Sequence, residues 1–271
     1  MDGRPRRPFD SCYRHRSPPY SLLEYKETHH QKLREGKGGV WRIPPSFDGA
    51  IRQPLPRFTQ LTASDRERLR IFFAAFACQA ARILVPGGHL AIASHPLLSS
   101  LTFSAIESRG FEKRGELIRL VSTLRGGDRP KGAEQEFPNV SVMPRAGWEP
   151  WGLFRTPISE KTVADNLRVW GTGGFRRIND DTPFRDVLSC APASRQERRI
   201  APHPSLKPQK LMRYLVRGIL PLEQGLIYDP FAGSGSTLAA AAYWGYQAIG
   251  TERDSTYFTM ARQAIPQLAQ W

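Results

Sequence analysis

The stretch that most constrains this chain runs from Gly225 to Glu252. Gly225-Leu226-Ile227-Tyr228 reads as a short buried strand. Asp229 to Gly235 is a glycine-rich turn, Ser236 to Trp244 an alanine-rich helix, and Gln247-Ala248-Ile249-Gly250 a second strand followed by Thr251-Glu252. Strand, glycine turn, helix, strand and acidic residue within about 30 residues make a βαβ unit. Two strands joined through a helix pair in parallel, so the fold class is α/β.

Upstream, Leu69, Phe72, Phe73, Phe76, Ala80 and Ile83 recur at helical spacing, predicting a helix from Thr62 to Leu84. Ser64 and Glu67 have the spacing of a capping box. Pro86-Gly87-Gly88 then turns the chain into a strand over His89–Ala93. A helix over Leu98–Ser108 and a strand over Phe111–Thr123 follow. Residues 124–200 lack clear periodicity and read as an irregular insert within a single domain spanning 1–271. Pro208–Leu220 and Ser255–Leu268 are helical.

Three local patterns carry chemistry. The first is Asp229-Pro230-Phe231-Ala232-Gly233-Ser234-Gly235-Ser236, between a strand and a helix. Glycines there allow both the tight turn and close backbone approach of a ligand. The loop has neither the GxGxxG spacing nor a Walker lysine. Glu252, about 20 residues on, stands where a carboxylate can accept both hydroxyls of a ribose. The second is Ser17-Pro18-Pro19-Tyr20. Prolines lack an N–H, so a serine hydroxyl with the neighbouring carbonyls forms a cluster of acceptors suited to an amino group. Tyr20 adds a flat face. Taken alone, the tetrapeptide is equally an ordinary Pro-rich loop. The third is His203-Pro204-Ser205-Leu206-Lys207-Pro208, which alone would be a Pro-bounded helix start.

The chain has 271 residues and a formal net charge of +14, pointing to a polyanionic partner. The excess is spread along the chain rather than held in a tail. No apolar run reaches the ~18–20 residues of a membrane span. Nor does the start carry the apolar core of a secretory signal. A cytoplasmic protein without membrane contact is therefore expected. The three cysteines are far apart and the histidines lack ligand spacing, so no metal is expected.

Taken together, the three patterns resemble the β-class (permuted) amino-methyltransferases of DNA. In that family a (D/S)PP(Y/F/W) tetrapeptide comes first, then a variable target-recognition region, then HPxxKP, then DPFxGSG. The resemblance is firm over residues 201–268 and good over Ser17–Glu27 and Ala81–Ala93. It is looser in FPNVSVMPRAGWEPWGLFRTPI and DNLRVWGTGGFRR. It implies a Rossmann-like methyltransferase fold, mostly parallel, with helices on both faces and residues 124–200 as the target-recognition insert. It implies S-adenosyl-L-methionine as cofactor. Asp229, Pro230, Phe231, Ala232, Gly233, Ser234, Gly235 and Ser236 would form its loop, Glu252 would hold the ribose, and His203 and Lys207 would close the methionine side. Ser17, Pro18, Pro19 and Tyr20 would hold a base flipped out of double-stranded DNA, because its amino nitrogen is unreachable inside the stack. A first-position serine favours N4 of cytosine over N6 of adenine. An RNA amino-methyltransferase and a catalytically impaired DNA- or cofactor-binding homologue are the alternatives. By analogy the assembly would be a homodimer. The family leads into its tetrapeptide with an apolar strand. Here Cys12-Tyr13-Arg14-His15-Arg16 is polar, which predicts a truncated or displaced strand. The aromatic and basic residues from Trp148 to Arg177 are read as candidate DNA contacts or as structural residues.

Overall fold

The structure, a computed structural model, describes residues 62–122 and 127–270. Ser17-Pro18-Pro19-Tyr20 and the strand expected before them lie outside the described residues. In chain order the elements are α1 (Ala63–Ile83), β1 (His89–Ala93), α2 (Ser99–Glu107), β2 (Glu112–Leu120) and β3 (Trp148–Arg155). These are followed by α3 (Val163–Trp170), β4 (Val187–Ser189), α4 (Arg195–Ile200), α5 (Gln209–Ile219) and β5 (Leu226–Asp229). The last three are α6 (Ser236–Tyr243), β6 (Gln247–Gly250) and α7 (Ser255–Ala269).

The strands form a four-stranded sheet ordered β1-β3-β2-β4 and a two-stranded sheet β5-β6. Pairing is parallel for β5-β6 and β2-β4, but β3 runs antiparallel to both β1 and β2. The α/β layering is as expected, while the four-stranded sheet is mixed rather than mostly parallel. Alternation along β1 and β3 sorts side chains to two faces. Leu90, Ile92 and Phe154 turn toward α1 and α2, where Ala77, Ala80, Phe103 and Ile106 complete a core. Ala91, Ala93, Trp151 and Leu153 turn the other way, onto Leu211, Leu215 and Val216 of α5. That second core also takes in Ile227 of β5 and Ala240 and Ala241 of α6, so it joins the two sheets. The alanines of α6 let α7 pack closely, with Ala239, Ala264 and Leu268 fully buried in a third cluster.

Two expectations need correction. Residues 148–200 are not an irregular insert: they supply β3, at the heart of the sheet, together with α3, β4 and α4. Within the described residues of 124–200, irregular stretches remain between β2 and β3 and between α3 and β4. Between β2 and β3 an exposed excursion closes on itself through Gly127 N–H to Met143 O (2.9 Å) and Val142 N–H to Asp128 O (2.9 Å). The capping box of α1 also lies elsewhere. Thr62 is the N-cap, with Asp65 N–H donating to Thr62 Oγ1 (3.1 Å) and Thr62 N–H to Asp65 Oδ2 (3.0 Å). Glu67 instead pairs with Arg70 one turn on.

His89, at the start of β1, is a packed neutral imidazole. Its Nδ1 lies 3.2 Å from the Ile219 carbonyl and its ring sits 4.5 Å from that of Phe175. Burial lowers its pKa to about 4, against the Ile219 hydrogen bond, which opposes the shift; the charges of Arg155 and Arg114 add to it. The unfolded chain therefore binds this proton more readily than the folded one. The stability from a neutral His89 is complete above the ordinary value of 6.5 and is lost as pH falls toward about 4. Denaturant melts between pH 7 and 4.5 should show a decline of up to about 3 kcal/mol that His89→Gln flattens. A wild-type profile that is level over this window would contradict the assignment.

Candidate functional site

The glycine loop sits where a strand end, a helix start and the next strand meet. Asp229 closes β5, and its Oδ1 accepts the Phe231 N–H at 2.9 Å, turning the chain at once. The loop is laced to the end of β6: Thr251 N–H donates to Asp229 O (2.9 Å) and Ala232 N–H to Thr251 O (3.0 Å). Gly233 and Gly235 have φ of 54° and 82°, the left-handed region that glycine enters without strain. A Cβ on Gly235 would lie 2.5 Å from Ile265 Cγ1 of α7. One on Gly233 would meet the His203 ring at 3.3 Å. Backbone thus runs where no larger residue fits. Gly235 is also the N-cap of α6, which has no side-chain cap, while Ser234 and Ser236 are buried.

Glu252 braces this loop. Its Oε2 accepts the Gly233 N–H at 2.9 Å and its Oε1 accepts the Asp254 N–H at 2.8 Å. Each carboxylate oxygen has a second lone pair, so the residue can take hydroxyl donors as well. Asp254 in turn caps α7 through Thr256 and Tyr257 N–H. Beside the loop, Phe231 is 57% exposed and its ring lies 5.8 Å from that of Phe76 on α1.

The residues of the HPxxKP pattern approach from the other side. His203 packs edge-on against Tyr257 at 4.3 Å, and its Nδ1 accepts the Ser205 N–H at 3.1 Å. Burial lowers its pKa, opposed by the charges of Glu252 and Asp254. Lys207 reaches Glu149 on β3, and its Nζ lies 5.4 Å from the centre of the Trp151 ring. Glu149 stands directly opposite Arg119 in the β2-β3 ladder and pairs with it at 2.9 Å. Arg119 is 6% exposed and spends its remaining donors on the Cys190 and Ala191 carbonyls (3.0 and 2.8 Å).

His203, the loop 229–236 and Glu252 come together in the structure. Lys207 stands on the same segment but is held by Glu149. Sequence reasoning missed Phe76, Arg119, Glu149 and Trp151 as supports of the site. For Arg119 and Glu149 the sequence offers no distinguishing signal, because both lie among other charged residues of their strands. Among the described residues no three His, Cys, Asp or Glu gather as a metal site. No helix there is long and apolar enough to cross a membrane.

Burial works to raise the Glu149 carboxyl, but Lys207 and Arg119 outweigh it and hold it below the ordinary 4.5. This stability is present above 4.5 and lost as pH falls through the lowered value. Glu149→Gln leaves two cations facing a neutral amide. It should cost about 3 kcal/mol in denaturant melts at neutral pH. Indistinguishable melts for variant and wild type would show that the cluster does not hold the site.

Comparison with known proteins agrees with this geometry. Residues 133–263 match the family model described as DNA methylase. The Type II methyltransferases M2.DpnII of Streptococcus pneumoniae and M2.LlaDCHI of Lactococcus lactis subsp. cremoris are 29% and 27% identical over 91 residues. These stretches cover 34% of this chain and 34% of each relative, so the matched region spans about a third of the length of these curated relatives. The fold is shared with the cytosine-N4-specific PvuII DNA methyltransferase (TM-score 0.52, 14% identity, 80% of each chain). It is also shared with TTHA0409 from Thermus thermophilus, solved with S-adenosyl-L-methionine (TM-score 0.50, 20% identity, 76% of this chain and 78% of that one). The glycine loop, its bracing glutamate and the HPxxKP segment thus lie in or beside the stretch, residues 133–263, over which the chain is similar to the DNA methylase family.

Proposed function

We propose that the protein transfers a methyl group from S-adenosyl-L-methionine to an exocyclic amino group in double-stranded DNA, at N4 of cytosine. The observation that carries this is the loop at 229–236, braced by Glu252 and flanked by His203. Its residues suit the cofactor. Gly233 and Gly235 admit a ligand close to backbone, Glu252 keeps lone pairs for ribose hydroxyls, and exposed Phe231 offers a flat apolar face. Lys207, fixed by Glu149 and Trp151, would flank the methionine end.

When bound, the cofactor supplies a methyl group on a sulfonium; the amino nitrogen would bond to that carbon as the S–C bond breaks, the thioether leaving as S-adenosylhomocysteine and one amino proton passing to solvent. An exocyclic nitrogen is a poor nucleophile because its lone pair is conjugated into the ring. Ser17 and the Pro18 carbonyl would accept its N–H groups and draw the lone pair toward the methyl carbon, while Tyr20 stacks on the flipped base. That part of the reading falls on residues outside those described and rests on the family resemblance. The serine at the first position favours cytosine N4 over adenine N6. Within the 124–200 segment, the exposed excursion at 127–147 carries Arg129, Lys131 and Arg145 and is the part we assign to target recognition.

Incubation of the full chain with labelled S-adenosyl-L-methionine and unmethylated duplex DNA should yield label in DNA and none in tRNA or rRNA. Base-resolved sequencing should then find N4-methylcytosine. N6-methyladenine would overturn the choice of base, and no incorporation would overturn the activity. Tyr20→Ala should reduce transfer at least ~100-fold, the scale expected when a reacting group is misplaced, with cofactor binding intact. Glu252→Ala should weaken cofactor binding by at least ~10-fold, as expected for removal of a charge-assisted hydrogen bond.

A further inference from the structure

A cavity of about 540 Å³ lies against α5, and its lining includes no residue of the glycine loop, Glu252, His203 or Lys207. Lys210, Arg213 and Arg217 line it from α5, at spacings that put them on one helix face. Arg176 and Arg177, from the segment after α3, also line it. Glu197 is the carboxylate among the lining residues, and it is already committed. It accepts the Ser194 N–H at 2.6 Å and the Gln209 N–H at 2.7 Å. Arg176 is offset by Glu223 at 3.0 Å, outside the cavity lining. The balance remains strongly positive.

The cations are also held in place. Arg213 lies 3.6 Å over the ring of Tyr243, and Arg217 lies 5.0 Å over that of Trp244. Stacking fixes a guanidinium plane, and Arg213 is further held by donating Nη2 to the Leu268 carbonyl at 2.9 Å. Arg217 Nη1 donates to the Ile178 carbonyl at 3.0 Å, yet its Nε is buried without a partner, as is that of Arg176. Arg177 and Lys210 add exposed charge at the rim. Cations from two separate segments suit a ligand with charges repeated along its length better than a single small anion.

We propose that this cavity is a second binding surface, for the phosphodiester backbone of duplex DNA away from the base being modified. It rests on the reading that the protein acts on DNA. The test measures how duplex affinity falls with salt, for the full chain and for the double variant Arg177→Gln/Lys210→Gln, using fluorescence anisotropy. Each phosphate that is no longer neutralised should lower the log–log slope by about 0.9, so the double variant should be shallower by ~1.8. Arg66→Gln/Arg82→Gln, on α1 and outside the cavity, should leave the slope unchanged. Equal slopes for the cavity variant and wild type, or equal reductions in both double variants, would overturn the proposal. So would displacement of the duplex by inorganic phosphate at constant ionic strength, which would mark a small-anion site. The binding measurement needs no turnover. Loss of methyl transfer with the slope change intact would sink the enzymatic reading alone, whereas intact transfer with an unaltered slope would sink this one alone.

Discussion

The arrangement of this molecule turns on a single buried carboxylate. Glu149 is contributed by β3, sits across the ladder from Arg119 on β2, and reaches Lys207 in the segment that leads into α5. Arg119 carries the connection on to the carbonyls of Cys190 and Ala191. Four stretches of the chain are thereby pinned together. Their charges are partly withdrawn from water, so removing one member of the cluster leaves its partners poorly compensated. It complements the apolar core between the sheets, which is non-directional, by fixing where the HPxxKP segment must lie.

That placement matters because the glycine loop is completed from outside its own βαβ unit. The loop gets its shape from β5, β6 and Glu252, but His203 is packed against Gly233 and Tyr257 from a different segment. The tight approach of His203 to Gly233 couples loop geometry to the position of the chain before α5. A loop assembled this way is supported by secondary-structure ends rather than by long loops. The basic cavity on the far side of the α5 start uses the same helix for a different purpose. Its apolar face builds the core and its cationic face looks outward.

Much of this was legible in the sequence, and the failures have physical causes. The βαβ unit was clear because glycine, alanine and acidic residues each have a positional meaning there. The β1 and β6 ranges agree with their apolar patterns residue for residue. β3 was missed because Trp-Glu-Pro-Trp-Gly-Leu-Phe-Arg mixes proline, glycine and two charges in a strand buried along most of its length, which erases alternation. Its charges are tolerated because Arg155 pairs with Glu112 and Glu149 with Arg119, partners on the neighbouring strand that a single sequence does not reveal. The α1 cap slipped by two residues because Thr62 and Ser64 compete for the same role. Asp65 settles it by answering Thr62 reciprocally. For the site, the loop and Glu252 were visible. That Glu252 braces Gly233 and Asp254, and that Lys207 is held by Glu149, required three dimensions.

The loop at 229–236, with Glu252, is the site we propose for S-adenosyl-L-methionine. Calorimetric titration of the full chain tests it most directly. One saturable site per chain is expected, competed by S-adenosylhomocysteine and abolished in a variant combining Gly233→Val with Glu252→Ala. Absence of binding, or binding undiminished in that variant, would contradict it.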